Sequence, residues 1–275
     1  MGGTFLSLNP NAEIFEKIKI LQPKWWILLR EDTELYIDIR KDNYIDVYYF
    51  GGVVTKIDYK KGAFTAITHQ KYLDDDKPRQ ITKQGRKKFE YDSIDLMKLT
   101  KKQIADIKEH IYKDYLRHIN AEKWIQGKMI IENSNYIDSE FQFNKDVEIG
   151  KLRIDLIELY GGVLTFVELK GISDSRLMHD DNRNPKTPEI VEQMRKYQLF
   201  INKYEAEIIV YYKSLLEIKQ NLGVTTLAIK QFILNKTPKL IIVDTYKKST
   251  KRRSDRIYRI KELLENNKIA YEIVK

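Results

Sequence analysis

Three features of the sequence predict an α/β protein: a mixed sheet flanked by helices, preceded by an antiparallel β-meander. Four runs of β-forming residues follow one another at Leu35 to Ile39, Tyr44 to Phe50, Val53 to Tyr59 and Ala63 to His69. Short turn signals separate them, which is how a meander reads. In the C-terminal half, strand-like runs alternate with helix-like ones, the pattern of a sheet covered by helices. Between these halves two apolar runs flank Gly161-Gly162 and read as a tight hairpin.

The 275 residues, 42% hydrophobic and 11% aromatic, suffice for one large domain or two small ones with a genuine core. No run approaches the roughly 18 apolar residues of a membrane span. The N-terminus lacks the basic and apolar regions of a signal peptide, so a cytoplasmic location is expected. Cysteine is absent, which excludes disulfides and thiolate metal sites; any metal must use oxygen or the four histidines. The formal charge of +9 suits a polyanionic partner. Two stretches concentrate it: Lys77 to Lys88, and Lys247 to Lys261, where Lys247, Lys248, Lys251, Arg252 and Arg253 cluster with Asp255 as the single acid. Each reads either as a phosphate-backbone contact or as a solvated surface.

Taken in order, Asn11 to Leu21 carries Ile14, Phe15, Ile18 and Leu21 at helical spacing, with Pro23 as a stop. The meander follows. Its Tyr36, Tyr44, Tyr48, Tyr49 and Tyr59 favour packing, with base stacking as the other reading. Leu73 to Thr100 lacks apolar periodicity and reads as a connector, which divides the chain into a β-rich accessory domain over 1–99 and a second domain over 100–275. Thr100 is placed to cap a helix whose apolar stripe runs from Ile104 to Met129. Glu122 falls on that stripe, where a carboxylate needs a partner. Ser139 to Phe143 reads as a strand carrying Glu140.

The hairpin carries charges where buried strands should have none. With Gly161 and Gly162 as the turn, Tyr160 faces Val163, Asp155 faces Glu168 and Arg153 faces Lys170. Opposed residues lie roughly 4.5 to 5.5 Å apart at Cβ, so two carboxylates there call for a cation. A hard divalent ion such as Mg²⁺ answers that need with few protein ligands. Beyond the hairpin, Ile172 to Pro188 reads as a polar loop with His179, Asp180 and Asp181 at its centre, more suited to contacting substrate than to holding metal. A helix over about 188–203 puts Gln193 and Tyr197 on one face. Ala206 to Tyr212, Lys239 to Asp244 and Ala270 to Val274 read as strands, Val224 to Leu234 as helical or irregular, and Lys251 to Asn266 as a helix.

Asp155 followed by Glu168-Leu169-Lys170 resembles the motif of the PD-(D/E)xK nuclease superfamily, an acid on one strand and (Asp/Glu)-x-Lys on the next. Ile154 stands where the motif's proline would be. Gln193-Met-Arg-Lys-Tyr197 resembles the Gln-x-x-x-Tyr element of RecB-type members. The resemblance implies a restriction-endonuclease-like core and Mg²⁺-dependent hydrolysis of nucleic acid, DNA foremost, with Mn²⁺ able to substitute. It implies that Asp155, Glu168 and the Leu169 carbonyl hold the metal, that Lys170 activates water, and that Gln193 and Tyr197 shape the site. It also implies a further acid from a preceding helix, for which Glu122 is favoured and Glu140 competes. Arg153 and the 247–253 basic residues are the expected nucleic-acid contacts. A nuclease fold retained for binding or assembly without cutting is the alternative. A homodimer or a protein partner through the N-terminal domain, and a role in genome defence or repair, complete the expectation.

Overall fold

The computed structural model describes residues 8–73, 91–115, 121–144, 146–178, 188–227 and 231–275. In chain order these form α1 (Glu13–Leu21), α2 (Lys24–Arg30), β1 (Leu35–Arg40), β2 (Tyr44–Tyr49), β3 (Gly52–Lys60), β4 (Ala63–His69), β5 (Tyr91–Ser93), α3 (Lys101–Tyr115) and α4 (Glu122–Glu132). There follow β6 (Tyr136–Phe143), β7 (Leu152–Tyr160), β8 (Val163–Gly171), α5 (Glu189–Lys203), α6 (Glu205–Asn221), β9 (Ile233–Leu234), β10 (Lys239–Val243), α7 (Lys251–Asn266) and β11 (Ala270–Val274). The class is α/β, with one antiparallel and one mixed sheet.

Contacts divide the described residues into two compact units. One takes in those within 6–134 and 211–229, the other those within 135–210 and 230–275. The division near residue 100 expected from composition lies inside the first unit, because α3 and α4 pack on β3 and β1 of the meander. The basic stretch Lys77 to Lys88 and the His179, Asp180, Asp181 cluster lie outside the described residues.

In the first unit the sheet runs β1-β2-β3-β4-β5, antiparallel throughout. Alternating β-branched and aromatic residues bury Ile37, Ile39, Ile45, Val47 and Ile57 between sheet and helices. Thr100 caps α3 reciprocally: its hydroxyl accepts from Gln103 N (3.2 Å) while Gln103 Oε1 accepts from Thr100 N (3.0 Å). Such a box contributes about 1 kcal/mol. Gly127 lets α4 lie against the chain at Phe50, since a Cβ there would sit 2.0 Å from the Phe50 carbonyl oxygen. The tyrosines pack. Tyr36 stacks on Tyr48 at 5.0 Å, Tyr59 meets Phe64 edge-on at 4.8 Å, and Lys56 sits over the Tyr44 ring at 3.7 Å.

In the second unit the order is β11-β10-β8-β7-β6, with β9 beside β8. Antiparallel pairing joins β6, β7 and β8; parallel pairing joins β8 to β9 and to β10, and β10 to β11. The hairpin has the expected register, Tyr160 to Val163 outward through Leu156 to Val167. Gly161 and Gly162 take φ of 59° and 80°, both in the left-handed region a type I′ turn requires. An aromatic cluster of Phe141, Phe143, Phe166 and Phe200 lies between this sheet and α5, with ring centroids 5.0 to 6.0 Å apart.

One expected strand is a helix. Ala206 to Tyr212 lies in α6, where Ile208, Tyr211, Leu215 and Ile218 are buried at steps of three and four. A window of seven residues, five of them β-branched or aromatic, is too short to expose that period, and packing overrides their propensity. Residues Trp25 and Trp26 belong to α2, and β5 is a three-residue strand without a sequence signal.

Candidate active site

The charged residues of the hairpin stand on one face of β7 and β8, as period 2 demands. The paired register ends at Leu156 and Val167, and just beyond it the Asp155 and Glu168 side chains both reach the Lys170 ammonium. Asp155 Oδ2 accepts from Leu169 N at 2.9 Å, which ties the two strands together where the carboxylates meet. Asp155, Glu168 and Lys170 are 8%, 1% and 1% exposed. Charges so deeply buried must be matched.

They are matched by convergence on one ammonium. Lys170 Nζ donates to Glu168 Oε1, lies 2.7 Å from the Leu169 carbonyl oxygen and stands 3.6 Å from Asp155 Oδ2. Two residues of α5 complete the set. Gln193 Nε2 donates to Glu168 Oε1 at 2.6 Å and contacts the Tyr197 hydroxyl at 2.7 Å. That hydroxyl in turn touches Glu168 Oε2 (2.7 Å) and the Arg153 carbonyl. The i, i+4 spacing read from the sequence is what lets both α5 side chains reach one carboxylate. Pro188 opens α5 and Glu189 and Glu192 occupy its first turn, so the helix is set where these side chains face the sheet.

Burial first, and the neighbouring Asp155 charge second, raise the Glu168 carboxyl to about 8. Burial, then the Glu168 charge, push the Tyr197 hydroxyl up, so it remains a donor at any physiological pH. Gln193 Oε1 is a buried acceptor without a hydrogen-bond partner. Such an atom inside a polar site is a place for water or a ligand proton.

The donor set fits a hard divalent ion. The three oxygens gathered on the ammonium, from Asp155, Glu168 and Leu169, are the three named for metal by the resemblance, and a cation already stands among them. Among the described residues no group of three or more His, Cys, Asp or Glu is arranged to hold a metal. Among the described residues, two carboxylates and a carbonyl would be the contribution to such an ion, an economy Mg²⁺ tolerates.

Beside Gln193 and Tyr197, which both reach Glu168, opens a cleft of about 300 Å³, lined by Lys151, Leu152 and Arg153 from the β7 side and by Glu189, Glu192, Gln193, Lys196 and Tyr197 of α5. Lys151 and Lys196 were passed over in the sequence. The available signal was position: Lys151 precedes β7, and Lys196 stands within the Gln193 to Tyr197 element.

The remaining candidates are not gathered here. Glu122 opens α4 in the unit of the antiparallel sheet, whereas Glu140 is on β6 of the hairpin's own unit. Lys247, Lys248, Lys251 and Arg252 are exposed at or just before the start of α7. Thr250 caps that helix, and Arg253 lies 4.7 Å over the Tyr246 ring and donates to the Lys248 carbonyl at 2.6 Å. None of them lines the cleft. Compared with protein-family models, with curated proteins and with solved structures, the chain finds no match.

Proposed function

We propose that this chain is a Mg²⁺-dependent nuclease of the PD-(D/E)xK type that hydrolyses phosphodiester bonds, DNA being the first substrate to try. The observation that carries this reading is the convergence of Asp155, Glu168 and the Leu169 carbonyl on a single cation position beside a basic cleft. An ion held there would polarise a phosphate oxygen and make water nucleophilic near neutral pH.

The chain's own residues have separable tasks. Asp155, fixed by the Leu169 amide, and Glu168, fixed by Gln193 and Tyr197, present oxygens without needing to reorganise. Lys170, whose ammonium stands at those oxygens, would orient a water or offset charge on the phosphate. Gln193 Oε1 offers an acceptor that can align that water's proton. Burial of the trio keeps bulk solvent away and strengthens every one of these interactions.

Asp155→Asn is the decisive variant, because it keeps the shape that meets the Leu169 amide while removing the charge. Wild-type protein and the variant would be assayed with Mg²⁺ on plasmid, linear duplex, single-stranded DNA and RNA. Cleavage is expected to fall about 1000-fold or more, the scale lost when charge stabilisation is removed from an active site. Full activity in Asp155→Asn would sink the assignment, and no cleavage of any substrate by the wild type would favour a binding module.

A further inference from the structure

We propose that the cleft beside Glu168 is a phosphate subsite in which Arg153, aimed by Glu140, grips a phosphodiester adjacent to the reacting one, with Lys151 and Lys196 completing the cradle. Which phosphate is adjacent rests on the nuclease reading; the subsite itself does not.

Glu140 sits in the middle of β6 with φ of 55°, the left-handed region that a glutamate seldom occupies. Holding a non-glycine residue there costs on the order of 1 to 3 kcal/mol, and such positions persist where the surroundings over-determine them. What the bend gains is orientation. The Glu140 side chain is 13% exposed, and its Oε2 meets both Nε and Nη2 of Arg153, whose side chain is 50% exposed. The acid is fixed and the guanidinium reaches out.

A guanidinium has five N–H donors in a planar fork. Glu140 takes one from Nε and one from Nη2, so the outer edge of Nη1 and Nη2 keeps its donors directed away from the acid. That edge matches two oxygens of a phosphate. The other end of Arg153 is fixed as well, because its carbonyl meets the Tyr197 hydroxyl that also touches Glu168. Arg153 is thus held at its guanidinium by Glu140 and at its carbonyl by Tyr197, and it lines the cleft together with Lys151 and Lys196. Glu189 and Glu192, which line the cleft from the same helix as Lys196, disfavour an occupant charged throughout, such as a polyphosphate. Glu140 is a positioning residue that acts through Arg153.

The test is binding of the full chain to a labelled single-stranded oligonucleotide of about 12 nucleotides, in EDTA so that no cleavage occurs, between about 50 and 200 mM salt. Arg153→Gln is expected to weaken binding about tenfold and to flatten the slope of log affinity against log salt by about 0.7, the loss of one single-strand phosphate contact. Glu140→Gln removes a negative charge, so simple electrostatics predicts tighter binding. Aiming predicts the reverse, binding about threefold weaker, with no further loss when Glu140→Gln is added to Arg153→Gln. Tighter or unchanged binding in Glu140→Gln, additive losses, or an unchanged salt slope in Arg153→Gln would each overturn the proposal. Should Glu140→Gln not fold, Arg153→Lys decides. It keeps the charge and loses the fork, and is expected to bind about threefold more weakly; wild-type affinity would refute the subsite. A protein that binds in this pattern but never cuts with Mg²⁺ would refute the nuclease reading and leave the subsite standing. One that cuts while Arg153→Gln binds as wild type would do the opposite.

Discussion

Two pairs of carboxylates in this chain oppose each other across neighbouring antiparallel strands, and they meet different fates. On the N-terminal sheet Asp38 faces Asp46 in the β1 and β2 register. Arg40 donates to both, at 3.0 and 3.2 Å, Lys219 Nζ lies 3.2 Å from Asp38 Oδ1, and the Tyr48 hydroxyl lies 3.0 Å from Asp46. Two acids and two cations sum to zero. On the hairpin, Asp155 and Glu168 share the Lys170 ammonium, and burial holds the Glu168 carboxyl at about 8, so a proton stands in for the second cation near neutral pH. Opposed acids alone therefore do not mark a metal site; the hairpin pair differs in holding a proton that an ion could replace and in adjoining a cleft. In sequence Asp38 and Asp46 look no different from Asp155 and Glu168, because the Lys219 ammonium that reaches Asp38 arrives from α6, 181 residues along the chain.

The comparison breaks most visibly by removing one partner from each cluster. Lys219→Ala removes one of the cations beside buried Asp38 while Arg40 stays, and unfolding in urea should show a loss of about 3 kcal/mol, with cleavage per folded molecule unchanged. A large loss of turnover in folded Lys219→Ala protein would show that the two clusters do not divide stability from chemistry as argued.

A pH series sharpens it next. Folding raises the Glu168 carboxyl to about 8 from an ordinary value of 4.5, so the folded state binds more protons than the unfolded one across that window. Stability due to this group is present at low pH and is lost as pH rises toward about 8. In EDTA, wild type should lose stability relative to Glu168→Gln by up to about 1.4 kcal/mol per pH unit within the window. With the ion added the same linkage predicts affinity that rises with pH, because Glu168 must shed its proton to act as a ligand. Parallel melting curves for the two proteins from pH 5 to 8 would refute the assignment of the proton to Glu168.

Lys170→Met comes third. Without the ammonium the two carboxylates lack their cation, so the variant should melt lower in EDTA and bind Mn²⁺ about tenfold more tightly than wild type by calorimetry, while failing to cut. Weaker Mn²⁺ binding would mean that Lys170 supports the ion rather than occupying its place. Tyr197→Phe is the smallest effect. It deprives Glu168 Oε2 and the Arg153 carbonyl of a shared donor, a loss of about 1 kcal/mol in urea.

Legibility in the sequence followed the range of the forces involved. The meander, α5, α7 and the hairpin were readable because turns, caps and periods are local: Gly161-Gly162 sets a register, and Gln193 with Tyr197 needs only four residues of spacing. The site's two acids, its lysine and its α5 pair could be named for the same reason. The seven-residue window at Ala206 to Tyr212 failed because its period shows only over the seventeen residues of α6. The Arg153 clamp was hidden for a different reason. Glu140 was legible as an acid on a strand, but its left-handed backbone and its grip on Arg153 arise from pairing between strands, which no local pattern encodes. The same holds for Lys219, a lysine whose partner lies on a distant strand.

The Gly161-Gly162 turn acts on the site as a phase setting. Six residues along each strand from that turn stand Asp155 and Glu168, so the count begun at the tip works with the buried apolar pattern of both strands to choose their partners. One residue inserted there would slide β8 by a single step and move Glu168 to the opposite side of the sheet from Asp155. Two residues without side chains, at the exposed end of a hairpin, thereby decide whether two buried oxygens can ever meet the same ion.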